Sequence, residues 1–431
     1  MKKIEKFLIK SMGCKSNQFE GAIIEEKLIN AGFKKVSDIS EADIFILNSC
    51  SVTHKSDNET LYLLRNAKHT NNKIKTLITG CVAQIEKENL LKNDFIDFVL
   101  GNDDKLNIVD FINSNITYEV TDIMNMSDFH EVVLVDTTKT RASLKIQDGC
   151  DNRCAYCIIP FGRGKSRSAK TDFIIKQIKS FEKHQFKEVV FTGIHIGQWG
   201  KEWNKTILDL LKEIEANTNI RYRLGSLNPL EITDELLDFL SKSKQFCPHF
   251  HLSLQSACNR TLERMNRFYK VEDYLKQIEK INKMFNLPFI GSDIIAGFVG
   301  ETEEDFKITL ENLKKSGLTA IHTFPYSIRK GTQAENMDGH LSDKIKEERA
   351  NAIKEISKQK TTEFLQKNIN TIHSCIIEKH PDKNTGNLKA MSENYITVHL
   401  NTKDKIIINS LQNFKITEIK NGKVYGEIIT A

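Results

Sequence analysis

Between about residues 138 and 335, short apolar runs alternate six times with amphipathic stretches, and no other feature limits the fold of this chain so tightly. The runs are Ala142–Ile146, Glu188–Thr192, Tyr222–Ser226, Phe250–Leu254, Phe289–Ile295 and Ala320–Tyr326. Helical patterns lie between them, for example Ile207–Ala216, Asp234–Ser241 and Glu303–Ser316, the last followed by Gly317. Strands joined through helices pair in parallel, because a parallel pair needs a crossover. Six such steps are too regular for an open two-layer α+β domain and fit a complete or partial βα barrel.

The flanks read differently. From residue 1 to about 125, Phe7–Ile9, Ile44–Leu47 and Thr76–Ile78 look like buried strands, and Gln18–Ala31 is a helical pattern closed by Gly32. That alternation predicts a small parallel sheet flanked by helices. Asp343–Lys367 contains neither Gly nor Pro and reads as a charged helix bracing domains. Beyond it, Thr371–Glu378, Tyr395–Leu400, Lys405–Ile408, Phe414–Lys420 and Val424–Ile429 read as short strands, with a turn at Asn421-Gly422. Five strands of this size predict a small antiparallel β-barrel. The expected fold class is therefore α/β, in domains 1–125, 138–335, 336–367 (the brace) and 368–431.

A chain of 431 residues accommodates such a division. It has no apolar run of membrane-spanning length, and its first residues, MKKIEKFLIKSMGC, hold too short an apolar stretch for a secretory signal. The expected location is cytoplasmic. Nine cysteines in a reducing compartment, an odd number, point to metal, redox or buried thiols rather than disulfides. The net charge of +5 is modest, but eight Lys/Arg against three Asp fall between Thr138 and Asp172. Such a strip is either a solvated face or a landing place for phosphates.

The chemistry is carried by the cysteines. Cys150-Asp-Asn-Arg-Cys154-Ala-Tyr-Cys157 places three thiols within eight residues just after a predicted strand. Structural zinc takes four ligands, and no fourth follows at zinc-like spacing. A four-iron cluster on three cysteines keeps one iron open for a small molecule. Cys14, Cys50 and Cys81 each follow the carboxyl end of a different N-terminal strand. In a parallel sheet those ends share one edge, so the three can meet there as a second cluster site. Cys247, Cys258 and Cys375 have no partner at metal spacing and read as buried thiols.

The CxxxCxxC resembles the defining motif of the radical S-adenosylmethionine superfamily. With the three separated N-terminal cysteines, the whole chain resembles the methylthiotransferases of that superfamily. The resemblance implies an N-terminal flavodoxin-like domain, a partial, TIM-like βα barrel and a C-terminal barrel of the TRAM type. It implies two [4Fe-4S] clusters, a radical cluster on Cys150, Cys154 and Cys157 and an auxiliary, sulfur-carrying one on Cys14, Cys50 and Cys81, with S-adenosylmethionine as cofactor. Phe191-Thr-Gly193-Ile-His195-Ile-Gly197, Arg223-Leu-Gly-Ser226, His249-Phe-His251-Leu-Ser253-Leu-Gln255 and Asp293-Ile-Ile-Ala-Gly297 are similar to the family's strand ends. On that basis Gly193, Ser226, Gln255 and Asp293 are candidate cofactor contacts. Arg153, Arg163, Lys165 and Arg167 are candidate RNA contacts.

Within the family, Gly193-Ile-His195-Ile-Gly197, Arg153 and Phe324-Pro325-Tyr326-Ser327-Ile-Arg329 resemble the branch acting on threonylcarbamoyladenosine in tRNA. That branch implies methylthio insertion at C2 of the modified adenosine 3′ of the anticodon, without catalytic side chains beyond cluster and cofactor. The resemblance also implies an anticodon-loop substrate, a reductant such as flavodoxin or ferredoxin, no membrane and a monomer. Phe161-Gly162 replaces the family's usual Tyr-Ala and Val299 its usual Pro, both expected to lie clear of cluster ligands. The alternatives are the isopentenyladenosine branch, the ribosomal-protein aspartate branch, and a non-catalytic iron–sulfur RNA-binding protein.

Overall fold

The computed structural model describes residues 4–114, 116–400 and 408–429. The chain divides into two packed units. One comprises Met1–Leu134, Gln147–Ser168 and Ser327–Asn336; the other comprises Val135–Ile146, Ala169–Tyr326 and Met337–Ala431.

The first unit is built on β1 (Lys6–Ser11), β2 (Lys34–Lys35), β3 (Ile44–Ser49), β4 (Lys75–Gly80), β5 (Phe98–Leu100) and β6 (Tyr118–Glu119). They form one parallel sheet in the order β2-β1-β3-β4-β5-β6, whose growth reverses at β1/β3. Every residue of β3 is buried, as a strand covered on both faces requires. Alternation sorts its side chains: Phe45 and Leu47 pack with Leu64 and Ala67 of the helix His54–Thr70. Ile44 and Ile46 pack instead with Ile24 and Leu28 of the helix Lys15–Asn30. The expected strands lie within β1, β3 and β4. The two-residue strands β2 and β6 carry no apolar run by which sequence could reveal them.

Next in the chain come β7 (Ala142–Lys145), which belongs to the second unit, then β8 (Gln147–Asp148) and β9 (Arg167–Ser168). The latter two pair antiparallel in the first unit, making a ribbon whose connecting loop carries Cys150, Cys154 and Cys157.

The second unit continues with β10 (Glu188–Thr192), β11 (Arg221–Arg223), β12 (Ser226–Leu227), β13 (His249–Leu252), β14 (Phe289–Ala296) and β15 (Ala320–Pro325). All pairs are parallel and run in chain order, as β7-β10-β11 and β12-β13-β14-β15. The expected strand Tyr222–Ser226 is thus two pieces, interrupted at Leu224-Gly225. The intervening helices begin at caps written in the sequence: Thr206 with Asp209 and Thr302 with Asp305 form capping boxes. The helix Asp343–Lys367 covers the edge of β15, where Ser357 Oγ accepts from the Ile321 amide at 2.8 Å.

Five further strands, β16 (Ile372–Ile377), β17 (Lys389–Ser392), β18 (Thr397–His399), β19 (Leu411–Lys420) and β20 (Lys423–Ile428), close a barrel in the order β16-β17-β18-β20-β19. Its core is Cys375, Ala390, Val398, Phe414, Ile416 and Val424. Asn421 and Gly422, with φ of 52° and 72°, make the tight hairpin turn their dipeptide favours. Two expectations need correction. The barrel is not wholly antiparallel, because β18 pairs with β20 in parallel. Strand β17 was not foreseen, and of the expected strand Lys405–Ile408 residues 405–407 lie outside the described residues. Buried ion pairs tie β10 and β11 to this barrel. Glu188 takes Arg221 Nε at 2.6 Å and Arg223 Nε at 2.7 Å, and the two guanidiniums donate to Ser374 O and Ser392 O.

Candidate functional site

The carboxyl edge of the first sheet carries one cysteine trio. Cys14 precedes the helix Lys15–Asn30, Cys50 directly follows β3, and Cys81 opens the helix Cys81–Glu86 directly after β4. Cys50 and Cys81 are buried and Cys14 is exposed. Gly13 has φ of +81°, and a Cβ there would stand 2.4 Å from Cys50 Sγ, so only glycine admits the two loops so close together. Burial, and then the neighbouring Cys81 and Cys14 thiolates, push the Cys50 thiol up to about 11. Burial likewise raises Cys81, with the Arg163 guanidinium opposing it. Three thiols brought to one sheet edge, two of them buried, suit a cationic metal cluster, which stabilises the deprotonated ligands.

The other trio lies in the same unit, on the β8–β9 loop. Gln147 Nε2 staples this loop by donating to Gly149 O at 2.8 Å and Ser166 Oγ at 3.0 Å. The Cys157 amide donates to Cys154 O at 3.0 Å, closing a turn between the second and third cysteines. Among the described residues, no three His, Cys, Asp or Glu side chains close on a point as a single-ion site requires.

Between the trios lies a buried polar ring. Arg163 is 1% exposed and grips Glu20 through two bonds, at 2.7 and 3.0 Å, and Asp148 at 3.1 Å. Lys105 pairs with Glu20 and donates to Asn102 Oδ1 at 2.5 Å. Arg167, 4% exposed, faces Asp148 at 3.7 Å and Asp103 at 3.9 Å. The expectation that Arg163 and Arg167 contact RNA is therefore corrected: their charges are spent on carboxylates inside the unit. Arg153 and Lys165 are exposed. The expectation that Gly162 lies clear of a cluster ligand also fails, since a Cβ there would stand 3.3 Å from Cys81 Cβ. The segment Ser327–Asn336 joins this edge through Arg329, which donates to Ser51 Oγ at 2.7 Å and pairs with Asp57 at 2.5 Å.

In the second unit the candidate cofactor contacts divide. Ser226 and Asp293 are joined by a residue that sequence reasoning did not select. Ser226 Oγ lies 2.9 Å from His251 Nδ1, and His251 Nε2 lies 3.2 Å from Asp293 Oδ1. A proton on Nε2 lets the imidazole donate to Asp293 while accepting from the serine. The signal was the strand pattern: Ser226 and His251 are register partners on β12 and β13. Gln255, with φ of 71°, pairs through its backbone with Asp293 O and the Ile295 amide. Gly193 directly follows β10, and nearby His195 pairs with Glu231. Cys247, Cys258 and Cys375 are buried.

Two family models match in chain order: the family described as uncharacterized protein family UPF0004 at residues 6–101, and the radical SAM superfamily at residues 144–313. The threonylcarbamoyladenosine tRNA methylthiotransferase MtaB of Aquifex aeolicus is 34% identical over 91% of this chain and 96% of its own length. The tRNA-2-methylthio-N(6)-dimethylallyladenosine synthase of Syntrophomonas wolfei is 31% identical over 99% of this chain and 98% of its own. Among solved structures, the radical S-adenosylmethionine methyltransferase TsrM of Kitasatospora setae shares the fold, with a TM-score of 0.56 at 12% identity, covering 77% of this chain and 76% of that one. No helix among the described residues is long and apolar enough to cross a membrane. Both domain matches and the near full-length relatives make this chain an enzyme that uses S-adenosylmethionine and [4Fe-4S] chemistry, and it belongs to the radical S-adenosylmethionine methylthiotransferase family.

Proposed function

We propose that this chain inserts a methylthio group at C2 of N6-threonylcarbamoyladenosine 3′ of the anticodon in tRNA. The observation that carries the reading is the placement of two thiol trios in one packed unit, with the helix Ile159–Arg163 that follows the second packed against Cys81 of the first. C2–H of a purine is unactivated and gives acid–base catalysis nothing to work on. When bound, a cluster on Cys150, Cys154 and Cys157 with S-adenosylmethionine supplies a 5′-deoxyadenosyl radical, and a second cluster on Cys14, Cys50 and Cys81 supplies sulfur.

The chain's own residues position and shield these groups. Buried Cys50 and Cys81 keep their side of the auxiliary site dry, while exposed Cys14 marks its open side. Arg329 fixes the loop after Cys50, and Gln147 fixes the one carrying the other trio. Gly193, Ser226, Gln255 and Asp293 receive S-adenosylmethionine, with His251 holding the serine and carboxylate in place. Arg153 and Lys165 contact phosphates of an unstacked anticodon loop, assisted by the C-terminal barrel. On this reading residues 1–125 are a flavodoxin-like domain, 138–335 a partial βα barrel, 336–367 a brace and 368–431 a TRAM-type module. The enzyme works as a cytoplasmic monomer fed electrons by a flavodoxin or ferredoxin.

The relative from Syntrophomonas favours a second reading, with dimethylallyladenosine as the modified base. Nucleoside mass spectrometry on unmethylthiolated tRNA separates the two, after anaerobic incubation with reconstituted enzyme, reductant and S-adenosylmethionine. The expected product is a methylthio adduct of threonylcarbamoyladenosine. An adduct confined to dimethylallyladenosine would transfer the chain to the other branch.

A further inference from the structure

Asn102 follows β5 at the same sheet edge as Cys81 and is 6% exposed. Its Nδ2 lies 2.7 Å from Gly162 O and 3.8 Å from Cys81 Sγ, within hydrogen-bonding reach of sulfur. The amide has two N–H donors, one for each acceptor. Its orientation is fixed, because Oδ1 faces the Lys105 ammonium, which can only donate. Lys105 continues to Glu20, Glu20 to Arg163, and Arg163 is covalently next to Gly162. The ring thus closes on itself: Asn102, Lys105, Glu20, Arg163, Gly162, Asn102. One side chain touches both a ligand of the first trio and the backbone of the helix that follows the second.

We infer that Asn102 is a positioning residue that donates a hydrogen bond to the Cys81 sulfur of the auxiliary cluster and locks that cluster to the radical-cluster loop. The inference rests on the two-cluster reading above. A hydrogen bond to a ligating sulfur withdraws electron density and favours the reduced cluster, so it raises the reduction potential. Without it, the potential falls. Asn102 also satisfies Gly162 O, which lies in a buried segment where an orphaned carbonyl is costly.

The test uses the full-length chain carrying Cys150→Ala, Cys154→Ala and Cys157→Ala, so that any cluster held belongs to Cys14, Cys50 and Cys81. Iron content and an EPR-monitored redox titration are measured with Asn102 intact, with Asn102→Ala and with Asn102→Asp. The aspartate keeps the size and the Lys105 partner but loses both donors, and it is read if the alanine variant fails to fold. The expected result is one cluster per chain in all three, with the midpoint shifted to lower potential in both substituted forms. An unchanged midpoint in a variant that still holds its cluster would overturn the inference while leaving the two-cluster reading standing. Absence of iron from the parent with Asn102 intact would overturn the two-cluster reading itself.

Discussion

Two buried arginine networks in this chain look alike in composition and differ in what they touch. In the first unit Arg163, Lys105, Glu20, Asp148 and Asn102 lie under a cluster of thiols. In the second, Glu188, Arg221 and Arg223 lie under the carbonyls of a β-barrel. Burial pushes the Cys81 thiol up, the first network's Arg163 opposes that rise, and Asn102 Nδ2 points at the sulfur. The second also meets a sulfur, Cys247 Sγ, 3.8 Å from Glu188 Oε2, but there the thiol donates to the carboxylate and belongs to neither trio. Buried charge therefore does not mark a site; a donor aimed at a reactive atom does.

The comparison breaks most sharply at the thiols. Cys150→Ala is expected to abolish 5′-deoxyadenosine formation. Cys14→Ala is expected to leave that cleavage and remove methylthio product, with both read by chromatography of anaerobic reactions. Full product from Cys14→Ala would dissolve the distinction between the trios and leave the first network as structural as the second.

The second network is sharpened by Glu188→Gln. Glu188 is fully buried, and although burial raises its carboxyl, Arg223 and Arg221 hold it net below the usual glutamate value. Removing its charge strands two guanidiniums, which costs about 3–5 kcal/mol. Denaturant unfolding of the full chain should show a lower midpoint. The sign with pH follows from the depressed folded value. The stabilisation is present above the unfolded carboxyl's pKa, about 4.3, and is lost as pH falls through the lower folded one. Glu188→Gln should therefore flatten the acid limb of the stability profile. An unchanged midpoint and acid limb would mean that the arginines are satisfied by the barrel carbonyls alone.

Legibility in the sequence followed the range of the interactions. Glu188–Thr192 and Asp343–Lys367 are read to the residue, because an apolar run and an unbroken helical stretch are local signals. Cys14, Cys50 and Cys81 were found because parallel strands must end on one edge. Strand β17 was not, since it is set by barrel closure, and the parallel β18–β20 pair is likewise a property of closure rather than of either segment. Arg163 and Arg167 were misread for the same reason. In the sequence they belong to a basic run, and their partners Glu20, Asp103 and Asp148 come from other parts of the chain. Asn102 and His251 gain meaning only from the sulfur and the carboxylate that the fold brings to them.

The smallest expected effect separates exposed from buried cations within one short segment. Lys165 is exposed and Arg167 is buried two residues later, held between Asp148 and Asp103. If Lys165 pairs with one loop phosphate, Lys165→Ala should weaken tRNA binding modestly and reduce the slope of log K against log salt by about 0.7, the single-strand value. Folding should not change. Arg167→Ala should do the converse: it takes one buried cation from Asp148 and Asp103, lowers the unfolding midpoint and keeps the salt slope of the folded fraction. Binding titrations at three salt concentrations, paired with thermal melts, read both. A salt slope that falls for Arg167→Ala and not for Lys165→Ala would return the buried arginine to the RNA and exclude the exposed lysine from it.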